Sequence, residues 1–331
     1  MARRFNDKET GLKKLSLALL VAVGALVISA VLTELLWRFL RARSWVPASP
    51  FVVAYDEDLG WRYRPGTRAR HRTADFDVDV RFDAHGRRVM EEAPPPGAPL
   101  AVFVGDSLTF GWGVTGKATF AARIGKVLGF RTTNLGVAGY GTDQSYLKLR
   151  REGLPLRPKL VVYTFSSNDL VEVLHEKRYG RAKPRFRLEG ARLVLSPVRD
   201  RSRFLERHFS LLGSWQSFLQ GLSPAPLSEA EIQEARRLIV HLVRAMAEES
   251  RAAGATFVLV AARQPWLKKG LAGQPGVVLV DIGPALDRAR REGPVGFSHD
   301  PHWNTRGHQT VAAEVVQALE ASGFPAGSPG A

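Results

Sequence analysis

Four short apolar runs constrain the fold of this chain more than any other feature: Leu100–Val104, Leu160–Phe165, Thr256–Ala261 and Val277–Ile282. Each is bounded by Gly, Pro or polar residues, and most are rich in Val, as expected of strands buried on both faces of a parallel sheet. Helical patterns lie between and after them, over 118–128, 142–152, 228–252, 284–292 and 305–321. The last places Val311, Ala312, Val315, Val316 and Leu319 on one face at helical spacing. This alternation predicts a three-layer α/β/α domain with a mainly parallel sheet over 99–322.

An insertion at 171–227 interrupts the pattern. Within it, Phe186–Leu188 and Arg192–Leu195 flank Glu189-Gly190 and read as a hairpin, followed by a helix near 200–220. Residues 38–98 are rich in Pro, Arg, Gly and aromatics and read as a linker and small N-terminal extension. Val78, Val80 and Phe82 alternate with polar residues there and suggest one short strand. The tail, 323–331, carries no pattern.

Ahead of this domain, Leu15 to Leu36 is apolar except for Glu34 near its end. As a helix it would reach roughly 33 Å, enough for a ~30 Å hydrocarbon core. Trp37 follows at the expected interface, which gives a transmembrane anchor over 15–37 after a basic segment, 1–14. A cleaved signal peptide is the alternative, although its apolar region is normally shorter. Five Lys/Arg precede the run and three Arg follow it, so the positive-inside rule puts the N-terminus in the cytoplasm. The expectation is a single-pass protein of the cytoplasmic membrane with its main domain on the extracytoplasmic side.

The formal net charge of +15 is local. Residues 1–43 contribute +5, and Lys177 to Arg207 contribute +8. No zinc-finger spacing, RNP-like aromatic motif or basic helix leading into heptads accompanies it, so nucleic acid is not an expected partner. The chain has no Cys, which excludes a thiol nucleophile and thiolate metal sites. The His and acidic residues show no paired ligand spacing, so neither metal nor cofactor is expected. Gly111 to Lys117 matches the start of a phosphate-binding loop, but Ala118 stands where Ser or Thr must hold Mg²⁺.

Four short motifs carry the chemistry. Gly105-Asp106-Ser107-Leu108 ends the first strand, where open α/β sheets bind ligands. Asn134 to Gly139 follows a second strand; its small residues allow close backbone approach. Ser166-Ser167-Asn168-Asp169 ends the next strand, with Asn168 a candidate donor to a developing negative charge and Asp169 a candidate helix cap. Asp300-Pro301-His302 precedes the last helix, and a carboxylate there can fix the imidazole tautomer. Each motif alone could be a turn or a helix cap. Together they supply a hydroxyl, a base to deprotonate it, and donors for an oxyanion. Trp112, Tyr140 and Trp303 lie beside the motifs as pocket walls or core residues, and Asn304 and His308 cap or line the last helix. His299 has no evident partner in the sequence.

These four ordered motifs resemble the SGNH/GDSL hydrolases, over about 100–321. The resemblance implies a flavodoxin-like fold, with Ser107 as nucleophile, His302 as base and Asp300 as its orienter. It further implies an oxyanion hole from the backbone N–H groups of Ser107 and Gly139 and the side chain of Asn168. Two positions depart from the family pattern. Ser166 replaces the usual Gly, and the last block is Asp-x-His rather than Asp-x-x-His. The implied activity is acyl-ester hydrolysis at a membrane. Alternatives are an O-acyltransferase or deacylase acting on cell-envelope glycans, with a glycan or lipid partner, and a non-catalytic binding protein on a hydrolase fold.

Overall fold

A computed structural model describes residues 17–33, 53–90, 97–179, 181–198 and 226–324. The chain divides into two compact units, one of 1–46 with 201–222 and one of 47–200 with 223–331. In the first unit, residues 17–33 form a helix, α1, with Leu20, Leu26 and Leu32 among its exposed side chains. Among the described residues no helix is long and apolar enough to cross a membrane. The rest of the expected span, and the helix expected near 200–220, lie outside the described residues.

The second unit opens with two antiparallel hairpins. β1 (Val53–Asp56) pairs β2 (Gly60–Tyr63), and β3 (Arg68–Arg72) pairs β4 (Asp77–Arg81). The one strand expected here is β4, so the region holds more regular structure than its composition suggests. Its few apolar side chains are large and buried. Leu59, Trp61, Tyr63, Val80 and Phe82 form a core cluster with Phe110, Val137 and Tyr140 from beyond residue 100. The extension is thus packed into the domain that follows it.

The central sheet contains β5 (Leu100–Gly105), β6 (Arg131–Asn134), β7 (Leu160–Thr164), β12 (Thr256–Ala261) and β13 (Val277–Asp281). Between β7 and β12 lie the small pairs β8 (Lys177–Arg178) with β9 (Arg181–Ala182) and β10 (Arg185–Glu189) with β11 (Arg192–Ser196). The last pair is the hairpin expected in the insertion. The five central strands are parallel and lie in the order β6-β5-β7-β12-β13. Counted along the chain this is 2-1-3-4-5, the flavodoxin-like order, with its switch point beside the first strand.

Period-two alternation sends each strand's side chains to two cores. Val102, Val104, Val161, Tyr163, Phe257 and Leu259 face one; Ala101, Phe103, Leu160, Val162, Val258 and Val260 face the other. Residues Ser107–Phe110 form the short helix α2, Phe120–Leu128 form α3, Thr142–Lys148 form α4 and Asp169–Glu172 form α5. They are followed by α6 (Glu229–Ala252), α7 (Pro265–Gly270), α8 (Gly283–Glu292) and α9 (Thr305–Ala321). The buried face of α6 joins the first core, while those of α3 and α9 join the second. Helices therefore cover both faces, as a parallel sheet requires. Helix α6 starts with a capping box: Ser228 Oγ accepts from Glu231 N, and Glu231 Oε2 accepts from Ser228 N at 2.9 Å.

Candidate active site

Ser107 is the first residue of α2, at the carboxyl end of β5. Gly105 makes the abrupt strand-to-helix turn possible. It has φ +150°, and a Cβ there would lie 2.3 Å from Thr109 Oγ1. Asp106 caps α2, its Oδ1 accepting the Leu108 N–H at 2.8 Å. The Asn134 side chain braces the same turn, donating to Thr109 O at 2.7 Å and accepting from Gly136 N at 2.9 Å.

The loop before α9 brings Asp300 and His302 to this serine. Asn304 caps α9, accepting from Gly307 N at 3.0 Å, and also donates to Gly296 O at 2.9 Å, which closes the loop. The His302 ring joins Asp300 Oδ1 through Nδ1 at 2.5 Å and Ser107 Oγ through Nε2 at 2.7 Å. A carboxylate can only accept, so Nδ1 carries the proton and Nε2 accepts from the serine hydroxyl. Asp300 Oδ1 also accepts the His302 N–H at 2.9 Å. The Asp-x-His spacing therefore suffices to pair the two residues, because backbone and side chain both turn back on one carboxylate.

The other carboxylate oxygen is held too. Trp112 Nε1 donates to Asp300 Oδ2 at 3.1 Å, and the Trp112 ring stacks on His302 with 5.4 Å between centroids. Behind Trp112 stands buried His71 from β3, edge-on at 4.2 Å. Burial and the Arg88 charge push the His71 pKa down to about 4. Proximity of Trp112 to the motifs was legible in the sequence, but not its hydrogen bond. No sequence signal pointed to His71.

Asn168 ends the loop after β7 and precedes α5. Its side chain and that of Ser166 act on the Asp106 carboxyl, favouring its charged form, so the first and third motifs share one electrostatic environment. Burial pushes the Asp106 pKa up. Asp169 is not a helix cap. It is buried and accepts from Tyr163 Oη at 2.6 Å and Thr142 Oγ1 at 3.0 Å. Burial, and next the charge of Asp106, drive its pKa well up. Gly139 lies in a turn with φ +79°, and a Cβ there would meet the Tyr179 ring at 2.8 Å.

The remaining sequence candidates are structural. Tyr140 and Trp303 are buried in two cores. His308 is buried in α9, its Nδ1 accepting from Phe120 N at 3.3 Å, and burial lowers its pKa to about 3. His299 has a partner that the sequence did not suggest: Asp75, from the loop between β3 and β4, at 3.0 Å.

A serine, an imidazole and a carboxylate in consecutive hydrogen bonds, at the switch point of a doubly wound sheet, define the class of serine-dependent α/β hydrolases. The chain belongs to the GDSL-like lipase/acylhydrolase family, which matches residues 103–310, and it is a serine ester hydrolase. No curated protein matches its sequence. Among solved structures it is similar to TesA, with 14% identity over 67% of this chain and 98% of that one, and a TM-score of 0.42. It is similar to LAE5, an α/β hydrolase enzyme from the metagenome of Lake Arreo, Spain, with 16% identity, 71% and 99% coverage, and a TM-score of 0.41. A third is Axe2, an acetylxylan esterase from Geobacillus stearothermophilus, with 13% identity, 67% and 94% coverage, and a TM-score of 0.41.

Proposed function

We propose that the chain cleaves acyl esters through a Ser107, His302 and Asp300 triad. Serine is a weak nucleophile until a base takes its proton. His302 Nε2 receives that proton as Ser107 Oγ attacks the ester carbonyl, and the imidazolium that forms is stabilised by Asp300. The tetrahedral oxyanion accepts from the backbone N–H groups of Ser107 and Gly139 and from Asn168 Nδ2. His302 then gives its proton to the leaving alcohol. Water, deprotonated by the same imidazole, releases the acyl group and restores Ser107.

The observation that carries this reading is the unbroken chain from Ser107 Oγ through both nitrogens of His302 to Asp300, at 2.7 and 2.5 Å. The assay is hydrolysis of a small acyl ester such as p-nitrophenyl acetate. Ser107→Ala is expected to lower kcat by about 10⁴-fold or more. A Ser107→Ala variant with wild-type turnover contradicts the reading.

We further propose that the N-terminal run anchors the enzyme in the cytoplasmic membrane with the catalytic domain outside. The support is the apolar sequence from Leu15 to Leu36 and the exposed apolar side chains of α1. Carbonate-resistant pelleting of the full chain, lost on deleting 1–37, is the expected result. Equal solubility of both forms contradicts it.

A further inference from the structure

One of the backbone donors in the oxyanion hole of the proposed reaction, the Gly139 N–H, sits in a turn whose central peptide can face either way. Tyr140 N donates to Val137 O at 3.1 Å, closing a four-residue turn from Val137 to Tyr140. Gly139 has φ +79°, and Ala138 is not among the residues with positive φ, so the turn is type II. Types I and II differ by a half-turn of their central peptide, here the one joining Ala138 to Gly139. A trans peptide points its C=O and N–H in opposite directions. Whatever holds Ala138 O therefore aims Gly139 N–H.

That group is Trp61. Its Nε1 donates to Ala138 O at 3.2 Å from β2, 77 residues earlier in the chain. Trp61 is 2% exposed, and its ring lies against Gly139: a Cβ there would meet Trp61 Cζ2 at 3.6 Å. Tyr63, on the same side of β2, accepts the Ala138 N–H on its hydroxyl at 3.0 Å. Two further bonds pin the hairpin itself. Tyr140 Oη donates to Trp61 O, and Gln144 Nε2 donates to Leu59 O at 2.7 Å. Among the described residues the Gly139 N–H has no acceptor of its own, so it is free to serve a substrate oxygen.

We propose that Trp61 is a positioning residue for ester hydrolysis: its indole N–H, holding Ala138 O, fixes the central peptide of the turn so that Gly139 N–H faces the oxyanion. The family match begins at residue 103, so the residue that aims this donor lies outside the matched region. The inference rests on the acyl-ester reading and adds a part that the four motifs do not contain.

The test compares Trp61→Phe, which keeps an aromatic ring and removes the N–H, with the wild-type full chain. Hydrolysis of p-nitrophenyl acetate and of its thiono analogue is measured, alongside thermal melting. A thiono sulfur accepts hydrogen bonds poorly, so a well-aimed oxyanion donor shows itself as a preference for the oxygen ester. Trp61→Phe is expected to lower kcat for the oxygen ester about tenfold, less than outright loss of a donor. KM should stay within about twofold, and the oxygen-to-sulfur preference should shrink by a similar factor. Tyr63→Phe, which removes the second contact to Ala138, should shift the preference in the same direction. Equal losses on both esters, or wild-type kcat and preference in Trp61→Phe, would overturn the inference while leaving the triad intact. Absence of Ser107-dependent turnover in the wild type would instead remove the acyl-ester reading itself.

Discussion

Asp300 receives three hydrogen bonds on two oxygens, from the His302 ring, the His302 backbone and the Trp112 indole. The first two place the imidazole, while the third stops the carboxylate from rotating away. Trp112→Phe keeps the ring stacked on His302 and deletes only the N–H. It is expected to lower kcat for a small ester about ten- to a hundredfold, the range of one lost hydrogen bond to a charged group, with KM nearly unchanged. Steady-state kinetics with a melting curve check this. Ser107, Asp300 and His302 were legible as residues because each sits in a short local motif. Trp112 was legible only as a neighbour of the motifs and Trp61 not at all, because their hydrogen-bond partners lie 188 and 77 residues away and no local pattern encodes such a distance.

Elements buried on both faces were the legible ones. β5, β7 and β12 read as apolar runs because all their residues but Thr256 are buried. α9 was legible to its end residues because Asn304 caps it and one face is apolar throughout. Of the hairpins β1-β2 and β3-β4 only β4 was legible; β1, β2 and β3 escaped because they are short, β3 is mostly Arg, and their core is a handful of large apolar side chains shared with later elements. Arg88 shows how this region supports the site. It is 4% exposed and donates to Phe110 O at 2.8 Å, Gly111 O at 2.6 Å and Val114 O, the loop that carries Trp112. Its guanidinium also lies 4.7 Å from the centre of the Phe110 ring. Arg88→Ala removes this donor from Phe110 O and Val114 O, leaving Gly111 O only the Val114 N–H at 3.3 Å, and is expected to cost about 3 kcal/mol of stability, read from denaturant unfolding. Activity per folded molecule should fall as well, through the loosened Trp112.

At the scale of the whole molecule, two buried histidines contribute to the acid limb of stability. Burial, reinforced by Arg88, holds His71 at about 4 and His308 at about 3. Each takes up its proton near pH 6.5 once the chain unfolds. Between pH 6.5 and 4 each of these two sites therefore binds more protons in the unfolded chain than in the folded one, which lowers stability as the pH drops, while buried Asp106 and Asp169, with raised pKa values, act in the opposite direction. His71→Phe removes one of these protons and is expected to flatten the slope by roughly 1.4 kcal/mol per pH unit between pH 6 and 4. Unfolding midpoints across that range check it; an unchanged slope counts against a neutral, buried His71.

The central claim joins a hydroxyl and an imidazole 195 residues apart into one reacting pair. Its most direct test is covalent labelling of the folded protein with a fluorophosphonate, followed by peptide mass spectrometry. The expected result is a single adduct on Ser107 whose rate of formation drops at least a hundredfold in His302→Ala. An adduct on any other residue, or labelling of Ser107 in His302→Ala at the wild-type rate, would contradict the account.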